Sequence, residues 1–173
     1  MIDAEKCKIT RYPADTLLQK AGPVEKIDDS IRRLVDKMTD IMLELKGVGL
    51  AAPQAGVPLR LFIISLDGTK QKVRVYINPT VTPAGEIVST EEGCLSVPGV
   101  CTKIRRFAKC KVTATGIDGS EFTEEADGLY ARALQHEYDH IEGITIVNRM
   151  GQVAKIANRK KLKELMEKSE GQK

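Results

Sequence analysis

Residues 128–143 read GLYARALQHEYDHIEG, and this stretch decides how the rest of the chain is read. Leu129, Ala133, Leu134 and Ile141 recur at helical spacing, so the segment reads as a helix buried along one side and closed by Gly143. The only two histidines of the chain fall at 136 and 140, with Glu137 directly after the first. Positions i and i+4 of a helix share a face about 5–6 Å apart, so both imidazoles can reach one ion. Glu137 lies about 100° further round the axis. That suits it poorly as a third ligand and well for reaching a water at the same ion. Isolated HExxH matches also arise by chance in ordinary helices, with the histidines exposed or hydrogen-bonded. Buried imidazoles need polar partners, and a metal supplies them.

Upstream the periodicity changes. Between residues 57 and 126, PLRLFIISL, KVRVYIN, EIVST, AKCKVTATGI and SEFTEEA are short β-rich runs split by Gly, Pro, Asp and Asn, and IDGS at 117–120 is a hairpin signal. Further back, Ile31, Leu34, Val35, Met38, Ile41, Met42 and Leu45 form a stripe that predicts a helix over 28–45. Asp28 to Ser30 offer its N-caps and Gly47 its end. A further helix over 153–167 has Val153, Ile156, Ala157, Leu162, Leu165 and Met166 on one stripe and a basic opposite face. Strands in the middle and helices at the ends indicate an α+β fold, with helix 128–141 packed on antiparallel sheet.

The 173 residues suit one compact domain, residues 1–173, of which 151–173 form a basic C-terminal helix and tail. A charged fraction of 29% and a longest apolar run of LFIISL, 61–66, argue against a membrane span. The first residues, MIDAEKCKITRY, lack the apolar core of a secretion signal, so a cytoplasmic setting is expected. The net charge of +3 is too small to imply DNA binding, although residues 155–173 hold seven Lys/Arg against three Glu.

A hydrolytic site of this kind keeps three protein ligands and an open position. With no histidine left, the third must be Cys, Asp or Glu. Downstream, Glu164, Glu167 and Glu170 sit in the basic tail. Upstream, EGCLSVPG at 92–99 sets Cys94 between Gly93 and an extended segment ending at a proline. That backbone could bring a thiolate close to a ligand and leave Leu95 N–H free, but a lone cysteine is more often a small buried residue. Cys7, Cys101 and Cys110 form no C-x-x-C pair with it, and disulfides are not expected in a reducing compartment. In GVGLAAPQAG, 47–56, two glycines allow close backbone approach and Gln54 offers an amide donor. Taken alone, that stretch reads better as a tight helix-to-strand turn, because Gly-x-Gly is a weak signal.

Together, GVGLAAPQ, EGCLSVPG and QHEYDHIEG resemble, in order, the three signature motifs of the peptide deformylases, over roughly residues 13–149. The resemblance implies antiparallel β-sheets wrapped around a central helix carrying HExxH, with an N-terminal and a C-terminal helix. It implies one divalent cation held by Cys94, His136 and His140, Fe²⁺ natively in many members. A thiolate and two imidazoles also accept Zn²⁺, Ni²⁺ or Co²⁺. The implied substrate is the N-formylmethionine end of a nascent polypeptide.

In that chemistry Glu137 would act as general base and then acid, and Gln54 with Leu95 N–H would stabilise the oxyanion. Gly49 and Gly93 would lie against the substrate, with Val48, Leu129 and Ala133 lining a slot for the methionine side chain. Glu92 and Gln135 would orient ligands or backbone near Cys94, and Asp139 would pair with Arg105 or Arg106. Two departures stand out, Leu18-Gln19 where relatives often carry Leu-Arg, and Cys101 where an Arg or aromatic is common. A substrate that emerges from the ribosome makes contact between the basic tail and ribosomal RNA a second expectation. A zinc peptidase would need a downstream third ligand, and a structural zinc site a fourth; neither is evident in the sequence.

Overall fold

The computed structural model describes residues 2–170. Helix α1 (Asp29–Glu44) starts where the sequence predicts, with the Asp28 carboxylate accepting from Ser30 N–H at 2.9 Å and Ile31 N–H at 3.3 Å. Its end differs by one residue. Lys46, not Gly47, takes the left-handed conformation (φ 54°), and Gly47 N–H closes on the Met42 carbonyl at 2.9 Å. Gly47 is small for another reason: a Cβ there would lie 2.6 Å from Leu95 Cδ1.

Five strands follow, β1 (Gly49–Ala51), β2 (Leu61–Ile64), β3 (Arg74–Gly93), β4 (Cys101–Thr115) and β5 (Glu121–Asp127). Among the described residues they form one antiparallel sheet in sequence order. Helix α2 (Gly128–Ile141) crosses one face of it. Strand β2 shows why its run is continuously apolar. Leu61 and Ile63 pack with Leu34, Met38 and Met42 of α1, while Phe62 and Ile64 pack with Leu134 and Ile141 of α2. The sheet is therefore sandwiched between the two helices, and both faces of β2 are core.

The predicted runs KVRVYIN and EIVST belong to one strand. β3 continues for 20 residues because register shifts between Ile77 and Thr80 and between Ala84 and Ile87 absorb the breakers Pro79 and Gly85, while Pro83 stays in register opposite Cys110. Its far end carries Glu92 and Gly93 away from the core and pairs Gly93 with Cys101. The β4–β5 hairpin turns at the predicted IDGS, with Gly116 N–H on the Ser120 carbonyl at 2.8 Å and Gly119 at φ 85°.

The expected single helix over 153–167 is corrected to α4 (Gln152–Ala157) and α5 (Arg159–Glu170), preceded by the short α3 (Ile146–Arg149). Asn158 separates α4 from α5 and turns its side-chain amide onto the Ala154 carbonyl at 2.9 Å. The predicted stripe divides there. Leu162 and Leu165 pack with Val97, Ile104, Ile146 and Met150, whereas Val153 and Ile156 are 82% and 73% exposed. Among the described residues no helix is long and apolar enough to cross a membrane.

Candidate metal centre

Helix α2 brings His136 and His140 to one face, their ring centroids 5.0 Å apart. Cys94 follows the last residue of β3 and enters the turn to β4, which points its sulfur at the helix. Sγ lies 3.2 Å from His140 Nε2, and the sulfur and one nitrogen of each ring lie within 4.8 Å of one another. A tetrahedral centre with sulfur and imidazole ligands would set neighbouring donors about 3.3–3.6 Å apart. The three groups therefore fit one divalent cation. Of the other candidate ligands, Glu164 and Glu167 are exposed on α5, and the Glu170 side chain lies outside the described residues.

Electrostatics favour positive charge at this spot. Burial opposes ionisation of Cys94, but His140 and His136 beside it hold the thiol well below its ordinary range. Burial likewise opposes charge on His136, and Cys94 and Glu92 override it, pushing the imidazole up to about 10. A divalent cation between sulfur and rings answers the same demand.

Behind His136 stands a buried ion network. His136 Nδ1 lies 3.2 Å from Glu92 Oε2, so a proton held on Nδ1 leaves the Nε2 lone pair free for a cation. Arg106 Nε donates to both Glu92 oxygens at 2.8 and 3.0 Å, and its Nη1 donates to Asp139 Oδ2 at 2.9 Å. Arg149 adds Nε on Asp139 Oδ2 at 3.0 Å and Nη2 on Oδ1 at 2.5 Å. Of the two expected partners of Asp139, Arg106 makes the contact, and Arg105 is exposed. Gln135 does not reach the Cys94 backbone. It accepts from Phe107 N–H at 3.0 Å and donates to the Phe107 carbonyl at 2.9 Å, pinning α2 to β4 instead.

A cavity of about 420 Å³ opens onto Cys94 and His136, with His140 buried beside them. Val48, Gly49 and Gln54 line it on one side, Gly93 and Leu95 on another, and Leu129, Ala133 and Glu137 on the α2 side. Glu137 is buried, and its Oε2 finds no partner among the described residues; His140 Nδ1 is in the same position. A buried carboxylate oxygen facing a cavity without a partner marks where a proton-bearing ligand belongs. Burial pushes the Glu137 carboxyl up, opposed by the two imidazoles. A Cβ at Gly49 would stand 2.6 Å from Glu137 Oε1, so this glycine makes room for the chain's own carboxylate.

Gln54 is held at both ends of its amide. Oε1 accepts from Ala51 N–H at 2.8 Å, and Nε2 donates to Ser96 Oγ at 3.3 Å and lies 3.5 Å from Cys94 Sγ. Leu95 N–H has no acceptor among the described residues. Cys101 is exposed and pairs with Gly93 in the ladder without lining the cavity. Three participants were not singled out from sequence: Ser96, Arg149 and Arg132, which lines the cavity on α2. Ser96 sat inside a quoted motif. No pattern signalled the other two.

The family model described as polypeptide deformylase matches residues 6–156. The chain is 42% identical over 155 residues to a peptide deformylase of Neisseria gonorrhoeae, covering 90% of this chain and 93% of that one. It is also 42% identical over 159 residues to one from Thermodesulfovibrio yellowstonii, covering 90% and 96%. Among solved structures, a plant peptide deformylase superposes with a TM-score of 0.94 at 33% identity, covering 99% of this chain and 95% of that one. A peptide deformylase from Legionella pneumophila gives 0.87 at 38% identity, covering 96% and 98%.

The network around Asp139 yields a direct expectation. Asp139→Asn weakens the contacts of two guanidinium groups with one carboxylate and should lower unfolding free energy by about 1.5–3 kcal/mol, measured by urea denaturation.

Proposed function

This chain belongs to the polypeptide deformylase family, and on that premise we propose that it removes the formyl group from N-formylmethionyl ends of newly made polypeptides. The observation that carries the proposal is the convergence of Cys94, His136 and His140 beside a buried, unpartnered Glu137 oxygen. Cys94, His136 and His140 would hold a divalent cation. When bound, the cation supplies a Lewis acid that acidifies water in its open position and polarises a carbonyl oxygen.

The protein's own groups do the rest. Glu137 accepts the proton of the attacking water and returns it to the amine as the C–N bond breaks, releasing formate. Gln54 Nε2 and Leu95 N–H serve as the hydrogen-bond donors to the oxygen that gains negative charge. Gln54 comes pre-aimed, because its carbonyl end is occupied by Ala51 N–H. Val48, 40% exposed, and Leu129, 50% exposed, face the cavity with Ala133 and offer the methionine side chain an apolar wall. A formyl carbon bears only hydrogen, which suits the crowding of Gly49, Gly93 and Glu137 around the reacting centre.

The thiolate leaves the bound cation a net charge near +1, and the donor set accepts Fe²⁺, Zn²⁺, Ni²⁺ or Co²⁺. On the family resemblance we propose Fe²⁺ as the native metal, with the others as working substitutes. Lys155, Arg159, Lys160, Lys161, Lys163 and Lys168 are all exposed along α4 and α5, which supports contact with ribosomal RNA near the exit of nascent chains.

Three outcomes are expected. Formyl-Met-Ala-Ser is hydrolysed to formate, and Glu137→Gln lowers kcat by about 10²–10⁴-fold with bound metal unchanged by elemental analysis. Chelation abolishes turnover, anaerobic Fe²⁺ restores it, and the iron form loses activity in air while the Ni²⁺ form keeps it. The protein co-sediments with ribosomes at low salt, and removal of residues 155–173 ends this; absence of low-salt co-sedimentation would refute the ribosome contact alone.

A further inference from the structure

The turn that carries Leu95 is tied down carbonyl by carbonyl. Val97 N–H donates to the Cys94 carbonyl at 3.0 Å, Tyr12 N–H to that of Ser96 at 2.9 Å, and Val100 N–H to that of Val97 at 3.3 Å. The remaining one, the Leu95 carbonyl, accepts from Arg11 Nη1. It is the only one of the four held by a side chain. On the preceding residue, Thr10 N–H donates to the Gln54 carbonyl at 2.7 Å. Residues 10–12 thus fasten both segments that present amide donors to the cavity, although they come from a part of the chain with no other place in the site.

We infer that Arg11 is a positioning residue for the oxyanion donors, acting through the Leu95 peptide. The inference rests on the deformylase reading and deepens it. Leu95 N–H lies in the peptide plane it shares with the Cys94 carbonyl, and the two torsions of Leu95 couple that plane to the one after it. Val97 holds the plane before it through the Cys94 carbonyl, and Arg11 holds the plane after it through the Leu95 carbonyl. With both planes pinned, the N–H cannot swing away from the cavity. A donor fixed in this way needs no reorganisation as charge develops on the substrate oxygen, and such fixed donors carry large rate effects. Without Arg11 the second plane can rock. The Leu95 side chain is also wedged against Gly47, where a Cβ would lie 2.6 Å from its Cδ1, so the loosened turn keeps its place while its N–H loses aim.

The prediction separates aim from architecture. Arg11→Met keeps the length of the side chain and removes the donor. It should lower kcat about tenfold with KM within about twofold, as expected for a contact felt mainly in the transition state. Metal content and melting temperature should match wild type, and Arg11→Lys, which still donates, should recover most of the lost kcat. Wild-type kcat in Arg11→Met, or a loss that follows metal content or folded fraction, would overturn the inference. If Arg11→Met does not fold, Arg11→Gln takes its place, being polar but too short to reach the carbonyl, with the same two outcomes. Wild-type protein that leaves formyl-Met-Ala-Ser intact would overturn the deformylase reading as well, so the two failures are distinct.

Discussion

The buried guanidinium of Arg106 is the contact on which the centre depends. Its side chain is 3% exposed, a costly place for a charge unless every face is paired. Glu92 from the end of β3 and Asp139 from α2 supply the pairing, and together they override the penalty of burial and raise its pKa. One side chain on β4 therefore joins the strand that delivers Cys94 to the helix that delivers both histidines. Glu92 spends its remaining capacity on His136 and so fixes which ring nitrogen is free. The positions of sulfur and imidazoles are consequences of this junction as much as of the motifs that carry them.

Much of this was legible in the sequence, for identifiable reasons. Helix α2 and its histidine face follow from spacing alone, and the N-cap at Asp28 and the IDGS hairpin are local chemistry. Family resemblance supplied Cys94, which spacing could only leave among alternatives. Arg106 was partly legible. It falls on the inward register of β4 with Ile104, Cys110, Val112 and Ala114, and a charge on that face must have a buried partner. What could not be read was long-range. Nothing near Asp139 announces Arg149, and nothing in LLQKAGP foretells that the Gln19 backbone abuts Gly143. The division at Asn158 was missed because a helical stripe is blind to one side chain competing for its own backbone. The continuity of β3 was missed because breakers end strands in most contexts, whereas a bulge lets the ladder run past them.

The glycines show how a motif can be right in position and different in cause. Gly47 and Gly49 look like room left for a substrate. In the folded chain they are spaces already taken, one by the Leu95 side chain and the other by the Glu137 carboxylate. Smallness at both positions lets two elements distant in sequence close upon each other, and the narrowness of the cavity follows.

The outer edge of the sheet has a consequence for behaviour at high concentration. Strand β5 pairs with β4 along one side only, and its outward residues include Glu121, Glu125 and Asp127, all exposed. A second molecule that tried to lengthen the ladder there would set its own acidic strand against this one. Mutual repulsion of carboxylates opposes that docking, so the strand guards against fibrillar self-association along this edge.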